Sequence, residues 1–156
     1  NGDYNSFIEN YLNHKAPIGN FVDEKGNILG QHMGITHYTI GQRKGLGVTF
    51  GQPMYVTKIN RDNNTITLGE EGSQYSQGLI AEDMNFISCD FPLKEINVSV
   101  KIRYQSRPQK AKVEPLENGK VKVVFEEKQR SITPGQSVVF YDDDIVVGGG
   151  TILQAL

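Results

Sequence analysis

At 156 residues the chain has room for one ordinary domain or two small ones, each with a modest core. Sixteen Lys and Arg against eighteen Asp and Glu give a formal charge of -2, which excludes a general basic field drawing the whole chain to nucleic acid, so any such binding must be local. No run of about 18 apolar residues offers a membrane helix, no signal-peptide pattern opens the chain, and the single cysteine, Cys89, excludes an internal disulfide; a soluble, cytoplasmic protein is expected.

The first residue is Asn rather than Met, and a helical pattern begins at once, with Asp3 as a cap and Phe7, Ile8, Tyr11 and Leu12 on one face. The chain is therefore expected to begin inside a longer protein. Pro17 and Gly19 stop the helix, and short strand-like runs separated by Gly, Asn, Asp and Pro dominate the remainder. "HYTIGQRKGLG", His37 to Gly47, sets a histidine, a tyrosine, a glutamine and two cations among glycines. Arg43 and Lys44 can each contact phosphate, and the glycines let backbone approach a ligand or another domain, but a solvated turn accounts for the composition equally well. The stretch resembles a phosphate loop only loosely, because Gly-Lys-Ser/Thr is missing and no helix clearly follows.

"MYVTKINRDNNTITLG" reads as a hairpin turning through Arg61 to Asn64. The polar, glycine-rich run from Gly69 to Gly78 is the expected boundary between two units, a β-rich one over 1–74 and a second over 75–156. In the second, "NVSVKIRY" alternates Val98, Val100 and Ile102 with polar residues. A hairpin turning at Asn118-Gly119 follows, with Val121, Val123 and Phe125 facing inward, then a pair turning at Asp142 to Asp144. Short strands at this spacing predict a small closed antiparallel barrel, which removes exposed sheet edges.

Few residues suggest catalysis. Cys89 sits in a strand-like apolar run, "NFISCD", without a neighbouring cation or histidine to activate it, and reads as a small hydrophobe. His14, His32 and His37 share no metal-ligand spacing, so no metal site is assigned. Binding is better represented. "KIRYQSRPQKAK" gathers Lys101, Arg103, Arg107, Lys110 and Lys112, with Tyr104 available to stack on an unpaired base. Its bland reading is the wet face of a hairpin, and strict alternation sends Tyr104 inward unless the strand ends or bulges before Ser106. In "ITPGQS", Pro134-Gly135 sets a tight turn and Gln136 brings an amide that both donates and accepts.

Four ordered motifs, "HMGITHYTIGQRKGLG", "GQPMYVTKI", "VKIRYQSRP" and "ITPGQSVVFYDDDIVVGGGTI", closely resemble the C-terminal half of bacterial tRNA-specific 2-thiouridylases, from about Asn1 to Ile152. The resemblance implies a mainly β fold, a small central β-rich domain with a short N-terminal helix followed by a translation-factor-like β-barrel. It also implies a sulfurtransferase that replaces the C2 oxygen of the wobble uridine by sulfur. In the family an N-terminal PP-loop domain adenylates the base with ATP and Mg2+, and a cysteine persulfide then displaces AMP. Neither the PP-loop nor either catalytic cysteine has a counterpart here, and Cys89 matches neither, so this part alone is expected to be inactive, with no cofactor of its own. The family's tRNA contacts fall on Arg103, Tyr104 and Gln136, and a positioning role carries over to Arg43 and Lys44. The implied partners are tRNA, through its anticodon stem-loop region, and a sulfur-donor protein, with no membrane. Two rivals stay open on the residues alone: a free-standing RNA-binding barrel, and a structural or protein-docking module.

Overall fold

The computed structural model describes residues 16–88, 90, 92 and 94–156. The helix expected around Phe7 to Leu12, His14 and Cys89 lie outside them. The chain divides into two compact units, one ending at Gln74 and the other running from Tyr75 to Leu156.

In the first unit, β1 (Gly19–Val22) and β2 (Ile28–His32) form an antiparallel hairpin closed by Asp23, whose carboxylate accepts from the Lys25 and Asn27 amides and the Asn27 side chain. These hydrogen bonds hold its pKa below the usual carboxylate value, the Asn27 side-chain bond most of all. β3 (Tyr55–Asn60) and β4 (Thr65–Gly69) form the hairpin read from the sequence. A register shift between Val56 and Lys58 breaks simple alternation, and Tyr55 and Val56 are both buried. β1 runs parallel to β4, giving a four-stranded sheet ordered β2-β1-β4-β3. The chain joins this parallel pair through β2, residues 33–54 and β3, and the 33–54 connection between β2 and β3 has as its only regular piece a 3-10 turn at Ile35–His37. That segment is pinned because Tyr38, Leu46 and Met54 enter the same core as Phe21, Val56, Ile66 and Leu68.

The second unit is a closed barrel of β5 (Tyr75–Phe86), β6 (Ile96–Lys101), β7 (Gln109–Pro115), β8 (Val121–Arg130), β9 (Ser137–Asp142) and β10 (Ile145–Ala155). Its neighbours pair antiparallel in the order β10-β5-β8-β7-β6-β9, so the expected barrel is present. Alternate residues fill it, including Leu79 and Ala81, Val121, Val123 and Phe125, and Val138 and Phe140. Asn118 and Gly119 carry the β7–β8 turn at φ 58° and 69°, and Asp143 the β9–β10 turn at φ 49°. The glycines in the middle of β10 admit close neighbours: a Cβ on Gly149 would lie 2.7 Å from the Val138 carbonyl, and one on Gly150 2.5 Å from Met84 Sδ.

β5 starts at Tyr75, inside the polar run from Gly69 to Gly78. One expectation needs correction. The run before Cys89 is strand only to Phe86; Ile87, the next residue, is 69% exposed.

Candidate nucleic-acid interface

β6 ends at Lys101, and the chain bends back at once. Ile102 stays buried, while the Ser106 amide and hydroxyl both donate to the Arg103 carbonyl, at 3.1 and 2.8 Å. This turn interrupts the alternation that would have sent Tyr104 into the core; its ring is 93% exposed. Lys101 Nζ lies 6.0 Å from the ring centroid, at the edge of cation–π range.

Opposite lies the connection between β8 and β9. Because Lys101 pairs with Val139, the C-terminal end of β6 is beside the N-terminal end of β9, and Arg103 and Tyr104 fall at the same end of the barrel as Gln136. The two connections are also joined directly. The Arg103 guanidinium donates to the Ser131 carbonyl and, at 3.4 Å, to the Arg130 carbonyl. Ser131 is buried and left-handed, φ 53°, an unfavourable conformation for a non-glycine residue that the surrounding bonds must hold. Thr133 Oγ1 donates to the same carbonyl at 3.0 Å. Next comes the Pro134-Gly135 turn, with Gly135 at φ 84° and the Gln136 amide donating to the Thr133 carbonyl. The Gln136 carbonyl accepts from Ile152 at 2.8 Å, so its backbone is engaged with β10 while the residue itself stays exposed.

The basic cluster read from the sequence separates in space. Lys112 pairs with Glu95 at 3.1 Å, and Lys110 lines a surface hollow shared with Glu126, Asp142 and Asp143. Among the described residues the other ion pairs are Lys120–Glu82 and Lys122–Glu114, so Lys101, Arg103, Arg107 and Arg130 keep a positive charge that no ion pair offsets. Arg130 was not legible as a member, since β8 brings it back only after the barrel closes.

In the first unit, Arg43 and Lys44 are exposed at the tip of the segment from Thr39 to Leu46. The segment is braced against β3, with the Gly41 amide donating to the Val56 carbonyl at 2.7 Å and the Val56 amide to the Gln42 carbonyl at 2.9 Å. Beneath it lies His32, fully buried among Phe21 and Tyr38 with ring centroids 5.5 and 5.7 Å away. Its Nδ1 accepts from the Gly34 amide at 3.1 Å, which leaves the proton on Nε2, 3.1 Å from the Asn64 carbonyl. Burial lowers its pKa below 6.5, against the opposing effect of the Asn64 bond. It is a neutral core histidine. No three His, Cys, Asp or Glu side chains among the described residues group as metal ligands, and no helix is long and apolar enough to cross a membrane.

The family described as "tRNA methyl transferase PRC-barrel domain" matches residues 5–70, and that described as "Aminomethyltransferase beta-barrel domain" matches residues 76–152. The tRNA-specific 2-thiouridylase MnmA of Acetivibrio thermocellus is 57% identical over 150 residues, 96% of this chain and 42% of the relative. That of Clostridium beijerinckii is 55% identical over the same shares, and that of Clostridium perfringens 56% over 142 residues, 91% of this chain and 40% of the relative. The chain belongs to the tRNA-specific 2-thiouridylase family. It spans about two-fifths of the length of these thiouridylases, with one matched region in each compact unit. Arg103, Tyr104 and Gln136 lie in the unit matched as a β-barrel, and Arg43 and Lys44 in the thiouridylase segment matched as a PRC-barrel.

Proposed function

We propose that this chain is the tRNA-gripping part of a tRNA-specific 2-thiouridylase, a sulfurtransferase acting on the wobble uridine. The convergence of Arg103, Tyr104 and Gln136 at one end of the barrel carries this reading. The end offers three complementary contacts: an unpaired cationic surface for backbone phosphate, an exposed ring for an unstacked base of the anticodon region, and an amide that recognises a base or sugar edge through both donor and acceptor. A closed barrel holds them in fixed relation, which suits recognition of RNA shape. Arg43 and Lys44 add a second positive point on the first unit.

Adenylation by ATP and Mg2+ and sulfur transfer through a persulfide belong, on this reading, to residues outside the chain, as does contact with the sulfur donor. The residues described do not fit a Mg2+–ATP site, having neither a cluster of acidic ligands nor a phosphate loop. The chain's own part is to bind and orient tRNA in the cytoplasm, and it is inactive in isolation.

The test is titration of tRNA substrate into the full-length enzyme at low salt, for wild type and Arg103→Ala. Affinity lower by roughly 1–3 kcal/mol in the variant is expected. Unchanged affinity would remove Arg103 from the interface, and no tRNA binding by the wild type would end the reading.

A further inference from the structure

The Arg43–Lys44 tip poses a physical problem: two exposed, mutually repelling cations sit in a glycine-rich segment that would ordinarily sample many conformations. The side chain of Gln42 meets it. Its Oε1 accepts from the Thr39 amide at 3.0 Å, and its Nε2 donates to the Lys44 carbonyl at 3.0 Å. One amide thus clamps both ends of the bend on either side of Arg43, while its own main-chain carbonyl holds Val56 of β3. Gly45 at φ 72° turns the chain back so that Leu46 re-enters the core. Tyr38 closes the base, its hydroxyl donating to the Leu46 carbonyl and accepting from the Met33 amide.

We propose that Gln42 is the positioning residue of the first unit, pre-ordering the backbone so that Arg43 and Lys44 meet RNA phosphate without the entropy cost of arranging a loose loop. The proposal rests on the tRNA-binding reading. A carboxylate could not serve here, because it has no proton to donate to the Lys44 carbonyl, and it would also neutralise the cations it presents.

The experiment is a double-mutant cycle in the full-length enzyme, comparing Gln42→Met, Arg43→Ala with Lys44→Ala, and all three together. Substrate KM, kcat, the salt dependence of tRNA affinity and the thermal midpoint are measured for each. Gln42→Met should raise KM for tRNA about 5-fold with kcat unchanged, the loss expected for one or two hydrogen bonds. The cation pair should flatten the slope of log affinity against log salt by up to about 2. In the cation-free background Gln42→Met should have no further effect on KM. Gln42→Glu, which keeps the Thr39 bond and loses the Lys44 one, should fall with Gln42→Met and serves if the latter does not fold. An undiminished Gln42 effect in the cation-free background, or wild-type KM in both Gln42 variants, would overturn the proposal. Wild-type tRNA titration run alongside separates this from the broader reading: no tRNA binding by the wild type would end the tRNA-binding reading, whereas intact wild-type binding with wild-type KM in both Gln42 variants would overturn the Gln42 proposal alone.

Discussion

The two candidate contact regions hold their cations in opposite ways. At the barrel end Arg103 is part of the scaffold, its guanidinium tying the β6–β7 connection to the Ser131 carbonyl of the β8–β9 connection. In the first unit Arg43 and Lys44 bear no such structural duty, and a neutral residue, Gln42, does the bracing. The difference teaches that a cation at a binding surface has two separable roles, and that removing one can damage folding, contact or both. Each region can be tested on that distinction.

The largest expected effect comes from Arg103→Ala, which removes contact and brace together. Unfolding by urea should show a loss of about 1 kcal/mol, because the buried Ser131 carbonyl keeps only the Thr133 bond, in addition to the affinity loss of roughly 1–3 kcal/mol. Arg103→Lys retains the charge but loses the planar guanidinium whose Nη2 reaches both carbonyls, so it should recover more affinity than stability. Equal recovery of both would mean the brace contributes nothing.

Tyr104→Ala isolates contact from folding on the same connection. A ring 93% exposed has little to lose on the folded side, so the urea midpoint should move by no more than about 0.5 kcal/mol, while affinity for tRNA falls by about 1–3 kcal/mol if the ring stacks on a base. A variant that binds like wild type would leave Tyr104 as an ordinary surface residue.

What the sequence made legible follows from the same separation. Val121, Val123 and Phe125 alternate and Asn118-Gly119 turns, so local period and turn chemistry carried the barrel hairpins. β5 escaped because Tyr75 to Gln77 are polar, and Gln77 spends its side chain on the Phe125 and Glu126 carbonyls where the β5–β8 register shifts. The parallel pairing of β1 with β4 also had no local signal, because it joins two hairpins that are separated in sequence by residues 33–54. At the site, residue types were legible and their partners were not. Nothing near Arg103 announces Ser131, and Gln42 looks like any loop glutamine until its two hydrogen bonds are seen. Tyr104 turned on one fact, that β6 stops at Lys101.

The first unit has a pH signature that the barrel should not share. His32 is buried and neutral, with a folded pKa below its ordinary 6.5, so the unfolded chain binds the extra proton first as pH falls. Its stabilising effect is therefore full above pH 6.5 and is lost as pH drops below that value toward the folded pKa, with a slope of at most about 1.4 kcal/mol per pH unit. Hydrogen exchange at β1 and β4 amides, followed from pH 7.5 to 5, should show this loss, and amides of β6 and β8 should not. In His32→Gln, which cannot titrate, the pH dependence should disappear even though the fold is weaker throughout.

The smallest effect is expected for Arg43→Ala, and it is the sharpest probe of the contrast. The side chain is exposed and outside any ion pair among the described residues, so stability should change by less than about 0.5 kcal/mol. Its contribution should appear only with RNA, as a salt slope lower by about 1. Arg103→Ala should change both the slope and the unfolding curve, whereas Arg43→Ala should change the slope alone. If Arg43→Ala also destabilised the protein, its guanidinium would have to be bracing the bend together with Gln42, and the contrast between a scaffold cation and a presented one would fail in the first unit.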